Sequence, residues 1–371
     1  MLYVAATAIV ILQRFEPDRH GIYLIFRGAF HDLVARRNLY ATRQGLDYFR
    51  YSPAFALFFG PMAIGPFQIG VTLWAVINTV ALYWILGRLL PPRQALLVRF
   101  LVLGDLVRSN QNGQSNALVA AFIVAAFIAY EHKDTWRGAW AVAGGAAIKL
   151  FPVGAALFAL IRPFRWRAMA TVAIAAIVLI VVPVVVTGPH VLLQEYRSWF
   201  GLEGAQVYKR MYSVMDLIDA WTDYYWPRWP IQLAGLVLLL VPVVLRRDSW
   251  ELPGWRLRLL CSVLVFCVLF NHGAESPSYV IAMTGIAIWW TATPRSRAHN
   301  IMLILTLLFS TVARSSLVPV AFRVAILDPA RVMVMPLLAS WLLLQYELLR
   351  GERSLVREAG EPDILAAQAA A

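Results

Sequence analysis

A carboxylate set where an apolar run meets water is placed to act as a base toward a substrate held at a membrane surface, and Asp18 is such a group. It follows the first apolar run, in Glu16-Pro17-Asp18, within a segment, 13–50, that carries seven Arg and four acidic residues and cannot sit in a bilayer. Asp18 is therefore the expected general base, facing a lipid-linked substrate. A second stretch with chemical potential is 104–116, GDLVRSNQNGQSN. Its Asn110, Gln111, Asn112, Gln114 and Asn116 offer neutral donors and acceptors that suit sugar hydroxyls, while Arg108 can pair with a phosphate. The same letters also describe an ordinary helix start with Ser115 or Asn116 as N-cap. Asp105 is either a second acid or base or the ion-pair partner of Arg108, three residues on.

Two further groupings invite a chemical reading. In NHGAESPSY, 271–279, His272 and Glu275 can face one cavity, where they would pass a proton or hold a sugar; a polar turn with Glu275 or Ser276 capping the next helix is the alternative. In SVMDLIDAWTDYYWPRW, Asp216, Asp219 and Asp223 recur at helical spacing and form a candidate divalent-ion set. Against that stands an interfacial amphipathic helix, its polar face carrying the acids and its Trp and Tyr anchoring at headgroup depth. Lys209 and Arg210 are placed to contact lipid phosphate.

The elements that must position these groups are membrane helices. Of 371 residues, 60% are hydrophobic and 15% charged, with a mean hydropathy of +0.64, far from the balance of soluble domains. Apolar runs cover about 2–12, 53–64, 67–86, 95–103, 117–130, 139–160, 168–186, 231–245, 257–270, 279–292, 301–312 and 332–344. Backbone amides in lipid must be satisfied within the segment and no strand alternation argues for a barrel, so the fold class is all-α and polytopic. The expectation is a bundle of about 10–12 transmembrane helices, with interfacial helices in the first outer loop. The domain would span 1–350, with 351–371 a polar, then Ala-rich, disordered cytoplasmic tail. Run 2–12 is too short to span and reads as a membrane helix whose start has lost residues.

Charge orients this bundle. Connectors 87–99, 131–137, 162–167, 246–258 and 294–297 are short and Arg-rich, which assigns them to the cytoplasm; 13–50, 104–116, 188–230, 271–278 and 314–330 then share the outer face. The net charge of +12 follows from this pattern and requires no nucleic acid. Alternation requires 53–64 to be re-entrant or interfacial and 139–160 to break into two half-helices. Lys149, one of three lysines, lies mid-run in AAIKLFPV with Pro152 ready to break the helix, so a bend would bring it to the outer face. Cys261 and Cys267 lie in one apolar run and indicate no disulfide framework. Walker, dinucleotide, GxSxG and Cys/His metal patterns are absent, which disfavours a nucleotide-driven mechanism.

These residues resemble glycosyltransferase family 87. The resemblance is carried by Asp18 with Ile22-Tyr23, Leu39-Tyr40, Tyr51-Ser52-Pro53-Ala54-Phe55-Ala56 and Trp74 with Asn78. It continues through Gly113-Gln114-Ser115-Asn116, Lys149-Leu150-Phe151-Pro152 and Tyr196-Arg197-Ser198-Trp199 before Ser213. That family has the GT-C fold and includes polyprenol-phosphate-mannose-dependent alpha-mannosyltransferases. The resemblance implies transfer of a hexose, mannose foremost, from a polyprenyl-phosphate donor to a lipid or glycan acceptor at the outer face of a bacterial plasma membrane. It assigns Asp18 as base, Arg108 and Lys149 to the donor phosphate with Arg36, Arg37 or Arg197 as further candidates, and Tyr23, Asn110, Gln114 and Asn116 to sugar. No cofactor is expected, with a divalent metal left open. The chain departs from the family where Ser52-Pro53 replaces two prolines and where NHGAESPSY replaces an aromatic-His pair, which leaves the sugar open. The competing readings are a lipid-linked saccharide transporter and a non-catalytic subunit of envelope assembly.

Overall fold

The computed structural model describes residues 1–13, 21–43, 45–205, 211–315 and 317–351. The chain divides into two compact units, Met1–Leu89, Leu106–Leu160 and Phe164–Val207 forming one, and Leu90–Asp105, Ile161–Pro163 and Tyr208–Ala371 the other. The described regular elements are helical, and the fold is that of an all-α polytopic membrane protein.

The first unit begins with α1 (Leu2–Gln13) and α2 (Gly21–Val34), followed by the short α3 (Pro53–Phe58) and α4 (Gly60–Ala63) and the long α5 (Phe67–Leu89). α6 (Pro92–Gln111) is divided between the units, and α7 (Asn116–Glu131) and α8 (Thr135–Ile148) follow. After a 3-10 turn, Phe151–Ala156, come α9 (Leu157–Leu160), α10 (Arg165–Val181), α11 (Val184–Thr187) and α12 (Pro189–Ala205). α8 packs between α7 and α10 through small side chains: Ala139 and Ala143 face Ala175 and Leu179 of α10 and Ala54 of α3. Small residues let helix backbones approach in apolar surroundings, where close contact rather than water exclusion holds helices together.

Two of the apolar runs are interrupted here. Run 53–64 folds as α3 and α4, of 6 and 4 residues, far short of the roughly 20 that a spanning helix needs. Run 139–160 breaks at Lys149, whose extended backbone (φ −139°, ψ 139°) ends α8. Pro152 enters the 3-10 turn and packs against Gly145, where a Cβ would lie 3.0 Å from the Pro152 Cβ.

The second unit contains α13 (Val214–Thr222), α14 (Arg228–Leu245), α15 (Pro253–Leu269), α16 (Tyr279–Ala292), α17 (Arg297–Thr306), the single turn α18 (Val320–Phe322) and α19 (Val334–Arg350). α15 and α16 are buried on nearly all sides and meet closely at Gly285, where an added Cβ would stand 2.8 Å from the Cys261 carbonyl. A buried polar node joins four helices: Glu347 of α19 accepts from Trp289 Nε1 (2.9 Å) and pairs with His299 Nε2 (2.9 Å) and Arg258 Nε (3.4 Å). Ser296 Oγ lies 2.6 Å from His299 Nδ1 at the start of α17.

Three described helices are long and apolar enough to cross a membrane: α5, Arg165–Thr187 and α14. Other apolar runs form shorter helices, among them Leu2–Gln13 and Asn116–Glu131. The sequence count of spans treats each run as a full crossing, whereas runs whose surface is covered by protein can stop short.

Candidate active site

Three separate stretches of the first unit, 51–52, 74–78 and 149, converge on the loop 112–116. Gly113 adopts φ +65°, the left-handed turn that ends α6, and its carbonyl accepts Trp74 Nε1–H at 2.9 Å. One turn along α5, Asn78 Oδ1 accepts the Leu118 N–H (3.2 Å). Ser115 occupies the N-cap of α7 without a side-chain cap bond, so Asn78 supplies from a neighbouring helix what the local sequence does not. Trp74 and Asn78, four apart and therefore on one helix face, grip both sides of the turn.

The remaining two stretches, 149 and 51–52, bring the polar groups. Lys149 Nζ donates to Asn116 Oδ1 at 2.6 Å. Asn116 is fully buried, and its Nδ2 is a buried donor that has no hydrogen-bond partner; Ser115 Oγ is a second such atom. Tyr51 OH reaches Gln114 Oε1 at 3.4 Å. Ser52 donates to the Ala147 carbonyl (2.5 Å), in the last turn of α8, while its Oγ accepts the Phe55 N–H at the start of α3. One hydroxyl thus joins the helix break that exposes Lys149 to the motif that carries Tyr51. Beneath lies an edge-to-face aromatic cluster: Phe26 sits 4.7 Å from Tyr51 and 4.9 Å from Phe55, and Phe59 sits 5.2 Å from Trp74, between ring centroids. A cation, an amide with an unmet donor at Asn116 and a rigid aromatic floor suit an anionic group attached to a sugar.

The other predicted residues of this unit are placed as follows. Asn110 Nδ2 bonds Thr79 Oγ1 (2.9 Å), and its Oδ1 is buried without a partner. Arg108 is half-buried on the last turn of α6, its carbonyl accepting Asn112 Nδ2 (2.8 Å). Arg36 donates to the Val186 carbonyl (3.2 Å), Arg37 pairs with Asp32 (2.8 Å), and Arg197 is exposed on α12. Tyr23 is fully buried, its hydroxyl donating to the Met62 carbonyl at 2.6 Å beside Gly70. This is a packing role where a sugar contact was expected; burial raises its phenol pKa, with Arg27 acting the other way. Asp18, Lys209 and Arg210 lie outside the described residues.

In the second unit the predicted residues are placed as follows. Asp105, 1% exposed, accepts the Thr311 hydroxyl at 2.6 Å, an approach open because Gly104 has no Cβ to meet Thr311. Arg314 pairs with Asp328 and lies over the Tyr212 ring (4.4 Å). Tyr212 OH donates to Asp328 (3.1 Å); burial raises its pKa, against the Arg314 charge. Glu275 precedes the 3-10 turn Ser276–Ser278 and forms no side-chain cap there, and His272 Nδ1 lies 3.1 Å from Gln232 Nε2. Asp216 forms a capping box with Ser213, Asp219 pairs with Arg228 at 2.7 Å, and Asp223 ends α13 at φ 51°. The three acids are spent on capping, pairing and a turn, and among the described residues no group of three or more His, Cys, Asp or Glu is arranged to hold a metal ion. Trp221, Tyr224, Tyr225 and Trp229 are exposed around this turn.

One functional candidate has no sequence signal. Glu195 on α12, 4% exposed, accepts the Leu39 N–H at 3.0 Å, 156 residues away. Burial is the main cause of its raised pKa; the Leu39 amide opposes the rise and the Asp32 charge adds to it.

The family model of glycosyltransferase family 87 matches residues 49–318, more than half of the chain. The matched region contains Tyr51, Trp74, Asn78, Gln114, Asn116, Lys149 and Trp199, and begins after Asp18. No curated protein matches the chain.

Proposed function

The chain belongs to glycosyltransferase family 87, and on that premise we propose that it moves a hexose, mannose foremost, from a polyprenyl-phosphate donor to a lipid or glycan acceptor at the extracytoplasmic face of a bacterial plasma membrane. Membership makes the protein a glycosyltransferase with a sugar donor and an acceptor; the polyprenyl carrier, the sugar, the GT-C architecture and the residue roles are this reading's own. The observation that carries it is the convergence of the family-like stretches of 51–52, 74–78, 113–116 and 149 on one site, with a lysine beside Asn116, whose amide donor is unmet.

In this reading Lys149 binds the donor phosphate, and Gln114 and Asn116 direct the sugar. Asp18 takes the proton of the acceptor hydroxyl, whose oxygen attacks the anomeric carbon. The bond from that carbon to the phosphate oxygen breaks, and the lipid phosphate leaves carrying the electron pair, its charge met by Lys149 and Arg108. A single displacement with one base inverts the anomeric centre. No cofactor is required, since the departing charge is met by side chains.

The test is label transfer from a panel of polyprenyl-phosphate sugars into membrane lipids by purified wild-type protein and Asp18→Asn. Transfer from one donor, with a loss of roughly two or more orders of magnitude in the variant, is the expected result. Undiminished transfer by Asp18→Asn would move the base to Asp105 or Glu275, and transfer from no donor would favour a transporter or accessory subunit.

A further inference from the structure

We propose that Glu195 is a positioning residue for the transfer site, gripping the neck of the loop 39–51 from α12 and thereby fixing Tyr51 against Gln114. Its functional meaning rests on the glycosyltransferase reading above; its geometry does not.

The two ends of the segment 39–51, Leu39-Tyr40 and Arg50-Tyr51, are tied to each other and braced from outside. Tyr40 OH donates to the Tyr51 carbonyl at 2.9 Å, which joins the two ends of the loop. Both ends also meet α12: the Leu39 N–H donates to Glu195 Oε2 (3.0 Å), and Trp199 Nε1 donates to the Arg50 carbonyl (3.3 Å). Glu195 and Trp199 are four residues apart and so project from one helix face. A third tie, from Arg36 Nε to the Val186 carbonyl (3.2 Å), holds the approach to the loop against the end of α11. Leu39 and Phe49 are fully buried at the same neck.

Tyr51 transmits the grip. Its carbonyl is held by Tyr40, its ring is wedged between Phe26 and Phe55, and its hydroxyl meets Gln114, two residues from the Asn116 that Lys149 holds. Release of Leu39 from Glu195 frees the Tyr40 end of the neck and with it the anchor on Tyr51. A buried backbone N–H left without its acceptor costs more than the bond contributes, so the neck would move rather than stay and leave it unpaired. Glu195 also stands near the Asp32 carboxylate, which Arg37 and Arg43 pair from the loop side. The carboxylate at 195 is therefore a costly group whose described bond goes to a loop amide.

The experiment uses the full chain in detergent, with Glu195→Leu, Glu195→Gln, Tyr40→Phe and the Leu/Phe double variant. One readout is the rate of tryptic cleavage after Arg43 and Arg50; the other is the donor KM and kcat of label transfer. We expect Glu195→Leu to be cut faster and to raise the donor KM roughly 10- to 100-fold, with a smaller change in kcat. Glu195→Gln, which retains an oxygen acceptor for Leu39, restores both readouts to near wild type. The double variant is no worse than Glu195→Leu, because both changes release one neck. Should Glu195→Leu fail to fold, Trp199→Phe, which deletes only the indole donor to Arg50, replaces it with the same expectation. Wild-type KM and trypsin resistance in Glu195→Leu would overturn the assignment. So would a Gln variant as impaired as the Leu variant with its loop protected, since the carboxylate would then be moving protons itself. No transfer by the wild type, with the tryptic difference present, would refute the donor reading while upholding the clamp.

Discussion

Lys149→Met removes the ammonium and keeps most of the side-chain volume, which makes it the sharpest probe of the proposed donor site. Two effects follow from the geometry. In the free protein Asn116, fully buried, loses the 2.6 Å bond to its Oδ1 while its Nδ2 is already without a partner. A buried acceptor left unpaired costs about 1–3 kcal/mol, so the unfolding midpoint should fall measurably while the fold survives. In the complex, the donor phosphate loses a charge-assisted contact of about 1.5–3 kcal/mol, which at about 1.4 kcal/mol per decade is roughly a 10- to 150-fold weaker affinity. Direct binding of a polyprenyl-phosphate sugar, with the uncharged polyprenol as control, separates the two. The phosphorylated ligand should lose affinity and the polyprenol should not. Lys149→Arg, which keeps the charge but not the compact ammonium, should fall between. Undiminished binding of the phosphorylated donor by a folded Lys149→Met protein would refute the assignment of the phosphate to this lysine.

Two other outcomes can be checked without knowing the donor. Glu347→Leu strands Arg258 and His299 in the interior of the second unit, so the variant should lose about 3–5 kcal/mol of stability; thermal unfolding that shows a much smaller loss, or a Glu347→Leu/Arg258→Met pair no better than the single change, would contradict the account of that node. For Glu195 the folded pKa is raised, so the folded chain holds that proton more tightly than the unfolded one, a stabilisation complete below the ordinary value of 4.5 and lost as pH rises through the raised folded value. Glu195→Gln should therefore gain on the wild type in unfolding midpoint as pH rises through that window, and a difference independent of pH would count against it.

Sequence and tertiary structure contributed differently to these conclusions. The helical, membrane-embedded class was legible because hydropathy and charge act locally: a long apolar run in lipid has to satisfy its own amides, and arginines mark the connectors. The break at Lys149 was legible for the same reason, since a charge mid-run beside Pro152 is a local conflict that a helix resolves by ending. The residues with family-like spacing could be named along the chain, but not joined. That Trp74 and Asn78 grip the turn before α7, that Ser52 ties α3 to the end of α8, and that Lys149 meets Asn116 depend on partners 33 to 95 residues apart. Tyr23 was misread as a sugar contact because a buried phenol and an exposed one have the same letter; only Met62 and the absent Cβ of Gly70 reveal where its hydroxyl goes. Glu195 and Glu347 carry no motif at all. A buried carboxylate is defined by what surrounds it, and those surroundings, Leu39 for one and Arg258, Trp289 and His299 for the other, come together only when distant helices pack.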